Sequence, residues 1–126
     1  MMGKTKLLRK LVKEKLETVT GKAYHRKAPK DASYPYKTFT LTSAAFPNID
    51  RDDMELEVDL WNRGEDPKIL EDIADEIEAL FNGAIFPAPP IYPAFFRENR
   101  YDLEDPDKDL QHIQLRFLVQ LHETEE

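Results

Sequence analysis

The chain has 126 residues, a net charge of −7, 40% apolar or aromatic residues and no cysteine. That length fits one domain with a core of its own. The missing thiols exclude cysteine nucleophiles, zinc–thiolate sites and disulfide staples, as suits assembly in a reducing cytoplasm.

The charge is uneven. Residues 1–30 carry ten Lys/Arg against Glu14 and Glu17, a balance of +8, and residues 31–126 carry eight against twenty-three acids, a balance of −15. The opening "MMGKTKLLRKLVKEKLE" is charged from its start, so no signal peptide is expected, and no segment is long enough to span a membrane. Leu7, Leu8, Leu11, Val12, Leu16 and Val19 recur at threes and fours. That predicts an amphipathic helix over 5–19, with Thr5 at its N-cap and Gly21 as its stop. Lys6, Arg9, Lys10, Lys13 and Lys15 face away from the stripe. This basic end reads as a nucleic-acid patch or as a solvated helix face whose lysines meet acidic neighbours, in this chain or another copy. The acidity of the remaining chain would repel a phosphate backbone and favours the second.

"KAYHRKAP" at 22–29 is a short basic edge strand ending in proline. After the "KDASYP" turn, "YPYKTFTLTSA" reads as a strand, with Phe39 and Leu41 on one side and Thr38, Thr40 and Thr42 on the other. "SAAFPNIDRDD" at 43–53 lacks any period and predicts a long mobile hairpin loop, including Phe46, Asn48, Asp50 and Asp52. In "DDMELEVDLW", Met54, Leu56, Val58 and Leu60 alternate with Glu55, Glu57, Asp59 and Trp61, a strand over 54–61. Trp61 is either an exposed anchor for a partner or core beneath the 84–94 segment.

"NRGEDP" turns into a second helix with Asp66 at its N-cap and Pro67 at its first helical position. Ile69, Leu70, Ile73, Ala74, Ile77, Leu80 and Phe81 form its buried stripe, and Asn82–Gly83 ends it. "AIFPAPPIYPA" at 84–94 holds four prolines, so it is expected to be a stiff extended connection rather than a central strand. Residues 95–105 predict a strand and "EDPDKD" a turn. Along 110–121, Ile113, Leu115, Phe117, Val119 and Leu121 face the core, while His112, Gln114, Arg116 and Gln120 face out. Together these elements predict an α+β domain spanning 1–126, its core over 5–122. Two helices pack on one face of a mainly antiparallel sheet of four to five strands, and the other face is polar.

Glu55, Glu57 and Asp59 lie on that polar face, about 6.6–6.8 Å apart from one to the next. Metal ligands converge within about 2.0–2.6 Å of one ion, which neighbours on a straight strand do not. The acidic runs lack the calcium-loop pattern, and no phosphate loop or hydrolase motif is present, so neither enzyme nor cofactor is expected. The row with Trp61 and Arg116 suits a protein partner instead, and Lys6, Lys10 and Lys13 are the complementary candidates.

Four stretches, "KDASYPYKTFTL", "RDDMELEVDLW", "ILEDIADEIEALF" and "LQHIQLRFLVQL", resemble a family of tail-completion or tail-terminator proteins of long-tailed phages with non-contractile tails. The resemblance runs from about residue 5 to 122 and is carried by "YPY", by the strand ending in Trp before a helix, and by the final strand with "RF". It implies a lambda tail-terminator-like fold and a hexameric ring that caps the tail tube and joins it to the head connector. The partners would be other copies of the chain, the tail tube protein and the head connector protein, with no membrane and no specific nucleic acid. The location would be the virion, after assembly in the host cytoplasm. Charge-rich contacts are screened by salt and add little affinity alone, so the free protein is expected to be monomeric in dilute solution. The 84–94 segment departs from that pattern and is a candidate contact arm.

Overall fold

The computed structural model describes residues 3–43 and 52–123, with Asp52 described by its backbone alone. The elements run α1 (Lys4–Leu16), β1 (Lys22–His25), β2 (Tyr36–Ser43), β3 (Asp52–Arg63), α2 (Lys68–Phe81), β4 (Ile91–Leu103) and β5 (Leu110–Glu123). They build one sheet in the order β1-β2-β3-β5-β4. Its pairs are antiparallel except β1 with β2. The fold is α+β, as the sequence predicts.

Alternation along β3 and β5 places Met54, Leu56, Val58 and Leu60 beside Ile113, Leu115, Phe117, Val119 and Leu121 on one face. Those side chains form one buried cluster with Leu8, Val12 and Leu16 of α1 and Leu70, Ile73, Ala74, Ile77 and Phe81 of α2. Each large apolar side chain fully buried this way contributes about 1.5–3 kcal/mol. Both helices thus cover the same side of the sheet, and the opposite side stays open.

Several expectations need correction. Gly3, not Thr5, is the N-cap of α1, and the helix stops at Leu16, with Val19 buried in the following turn. Pro67 takes the N-cap position of α2, and Asp66, one residue outside, still accepts the Lys68 N–H at 3.0 Å. Ile69 is 51% exposed, while Glu78 takes a buried place on the α2 stripe. Strand β3 runs from 52 to 63, so Asp52 pairs with Leu121 rather than belonging to a loop. Phe46, Asn48 and Asp50 lie outside the described residues.

The proline segment is no free arm. Residues 83–88 fold back along the start of β4, with Phe95 N–H to Ala84 O at 2.9 Å and Phe86 N–H to Pro93 O at 3.2 Å. Pro89 and Pro90 close that turn, where no ladder N–H is required. Phe86 packs on Phe81 and Phe95, and Ile91–Ala94 belong to β4 itself.

A bulge at Glu98 shifts the β4 register between Arg97 and Asn99. The extra residue reverses the alternation, so Arg97 and Arg100 share the helix side of the sheet. Both meet Glu78, Arg100 Nη1 at 2.9 Å from Oε1 and Arg97 Nε at 2.6 Å from Oε2. The Arg97 contact lies off the N–H line, so it is a charge contact rather than a hydrogen bond.

Candidate functional site

The open face is a grid set by strand register. Trp61 lies between Tyr36 and His112, Asp59 between Thr38 and Gln114, and Glu57 between Thr40 and Arg116. Glu55 lies between Thr42 and Leu118, which neighbours Phe96 on β4. The carboxylate column of β3 therefore runs down the middle of the face, with threonines on one flank and the β5 side chains on the other.

Those β5 side chains hold the column. Arg116 forks over two carboxylates, Nη1 at 3.1 Å from Glu55 and Nη2 at 3.1 Å from Glu57. Its Nε donates to Gln114 Oε1 at 3.1 Å, and Gln114 Nε2 donates to Asp59 Oδ1 at 3.0 Å. The same Asp59 oxygen lies 2.6 Å from His112 Nε2. The Asp59 side chain is only 13% exposed, so it is not the freely solvated group the alternation alone suggests. His112, expected to face solvent or a partner, is also largely covered.

The two central carboxyls titrate apart. Burial raises Glu57, helped by the adjacent Asp59 and only partly opposed by Arg116. Burial pushes Asp59 upward too, but the hydrogen bonds from His112, Gln114 and Glu57 outweigh it and hold Asp59 below its usual value. Asp59 therefore keeps its charge, and Glu57 takes up a proton first as pH falls.

Trp61 fits neither sequence alternative in full. It is half-buried on the open face, far in register from the 84–94 hairpin. Its ring stacks on His112 with centroids 3.7 Å apart and planes 14° from parallel, and Tyr36 lies on its other side at 6.5 Å. Tyr34 and Tyr24 extend the aromatic row past Tyr36. At the β4 side, Phe96 is 40% and Tyr101 42% exposed, with Ile85 of the hairpin 60% exposed beyond them. The face thus combines an acidic column, an aromatic end and an apolar margin.

Lys6, Lys10 and Lys13 lie exposed on α1, behind the sheet. Among the described residues they have no ion-pair partner. The structure does not bring them to Glu55, Glu57 and Asp59 within one chain, because α1 and the carboxylate column lie on opposite sides of the sheet.

The anchor of α1 was not foreseen. Lys37 points inward from β2, is 1% exposed, and donates to the carbonyls of Val19, Thr20 and Gly21 at 3.0, 2.8 and 2.6 Å. Gly21 has φ 99°, and a Cβ there would meet Pro35 O at 2.7 Å, so only glycine fits between ammonium and strand. The one available signal is Lys37 itself, at an inward position between Tyr36 and Thr38.

Among the described residues, no group of three or more His, Asp and Glu side chains is placed to hold a metal ion. No helix among them is long and apolar enough to cross a membrane. No protein-family model and no curated protein matches the chain.

Proposed function

We propose that the protein is a non-enzymatic assembly subunit of the phage tail-completion type, forming a ring at the end of a tail tube and joining it to the head connector. The observation that carries this reading is the build of the open face. Its polar groups are tied sideways to the adjoining strand and do not converge on a point where a small molecule would react. Tied side chains lose little further freedom on docking, which suits a broad protein contact. Half-buried Trp61 and the exposed Phe96 and Tyr101 are residue types that concentrate energy in such contacts. The sequence resemblance supplies the biological setting.

The test is to add the purified protein to heads and tails from an extract lacking the native joining protein. Joined particles, with a ring at the tail end by electron microscopy, are expected. Unjoined tails without added density would refute the reading.

A second reading has its own observation. Arg9 of α1 lies close enough to His25 of β1 to lower its pKa, as does Arg26, so basic groups gather at one sheet edge. Burial is the larger cause of that shift. Retention on heparin at low salt, lost steeply as salt rises, would favour nucleic-acid binding instead.

A further inference from the structure

The lysine stripe and the carboxylate column match in shape as well as in charge. Lys6, Lys10 and Lys13 follow a four–three spacing on α1, one line over two helical turns. At 1.5 Å per residue that line is about 10.5 Å long. Glu55, Glu57 and Asp59 span four residues of extended β3, about 13 Å. One is a row of cations without ion-pair partners among the described residues. The other is a row of three carboxylates in which one guanidinium answers both Glu55 and Glu57, while Asp59 is held by His112 and Gln114. Since they lie on opposite sides of the sheet, one chain cannot bring the two rows together.

We propose that the open sheet face binds the α1 helix of a second copy of this chain, with the lysine stripe laid along the carboxylate column. This deepens, and rests on, the assembly reading above. Such a contact joins two different surfaces, so it is head-to-tail: each copy uses its column for one neighbour and its helix for the next. Apolar surface accompanies the charges on both sides. Leu7, partly buried, lines a shallow groove with Pro87 and Pro89, beside Lys10 and Glu14 on the helix side. Phe96 and Leu118 flank the column on the sheet side. The charges set partner and register, and the apolar strips add affinity. The contact strengthens at low salt, where exposed charges act over longer distances.

The absence of cysteine gives a clean test. Lys10→Cys places a thiol in the stripe, and Thr40→Cys places one beside Glu57. Each variant is prepared alone and both in one chain, then oxidised at high concentration in low salt, with circular dichroism checking the fold. The double variant should give a ladder of disulfide-linked oligomers, at least about tenfold more covalent product than either single variant. The ladder should fade in high salt. Adding Lys6→Glu and Lys13→Glu to the double variant should remove it. A double variant no more cross-linked than the single ones overturns the proposal. So does a Thr40→Cys chain that dimerises as fully as the double variant cross-links, because that is sheet-to-sheet pairing. The joining assay separates the two readings. A native chain that joins heads to tails while the double variant forms no ladder leaves the assembly role standing and removes this interface. A ladder without joining does the reverse.

Discussion

Replacing Lys37 by Met tests whether one buried ammonium holds the basic helix to the sheet. Its three carbonyl partners lie at 2.6–3.0 Å, all in the turn that leads from α1 into β1. Hydrogen bonds from a charged donor contribute about 1.5–3 kcal/mol each, so the three together are worth about 5–9 kcal/mol. Burial acts the other way. It lowers the Lys37 pKa from 10.5 to about 8, against the raising pull of Glu17 and Glu76. At about 1.36 kcal/mol per unit, keeping that charge at pH 7 costs about 3 kcal/mol, which methionine avoids. The expected loss is therefore about 2–6 kcal/mol at pH 7.

The pH dependence carries the sharper sign. Between about 8 and 10.5 the unfolded chain holds the Lys37 proton and the folded chain has released it. Stability rises with pH wherever the unfolded state binds more protons, so the native protein gains on the variant across that window. The gap should widen by up to about 3 kcal/mol. Urea unfolding at pH 7 and pH 10, followed by the fluorescence of Trp61, measures it. A gap that narrows with rising pH would refute the reasoning, since the carbonyls would then favour the ammonium more than burial opposes it. A variant as stable as the native chain at pH 7 would refute the anchoring role.

Three further outcomes are expected. Leu115→Ala, at a fully buried position, should cost about 2–5 kcal/mol in urea unfolding, whereas Arg116→Ala on the open face should cost less than about 1 kcal/mol. Gly21→Ala should lower the melting temperature, because φ 99° and the 2.7 Å approach to Pro35 O leave no room for a Cβ; an unchanged melting point would mean that the turn relaxes freely. Asp59, held below its usual pKa of 3.8, contributes stability that is present above that value and lost as pH falls through the lower folded value. Asp59→Asn should flatten this acid limb in unfolding curves between about pH 2 and 5, and an unaltered slope would place the titration elsewhere.

The site changes which substitutions can probe the interface. From alternation alone, reversing Glu57 and Asp59 to lysine would leave the fold intact, because both face away from the core. With Asp59 held by His112 and Gln114, a lysine there would set a cation against His112 and within reach of Arg116. Failure of such a variant would report on local folding as much as on docking. Substitutions at Lys6, Lys10 and Lys13 avoid this, because all three side chains are exposed.

What the sequence by itself determined is parity. Whether a strand residue faces core or solvent depends on the two-residue repeat of extended backbone, and whether a helix residue does depends on the 3.6-residue turn. Both are local, so Leu56 and Leu115 were legible as core, and Glu57 and Arg116 as one polar face. Register, strand order and reversals of parity were decided only by the tertiary structure. Asp59 meets His112 and Gln114 because β5 lies between β3 and β4, with 110–121 sliding to one alignment among several that bury the same leucines. The bulge at Glu98 carries Arg97 and Arg100 to one side, against the simple alternation of 95–105. The proline segment folds back because Phe86 finds Phe81 and Phe95, which are distant in pattern though near in space. Lys37 faces inward because the carbonyls of Val19, Thr20 and Gly21, in the turn between α1 and β1, accept from its ammonium there. Such contacts join residues whose separation along the chain carries no period, so only the packed fold brings them together.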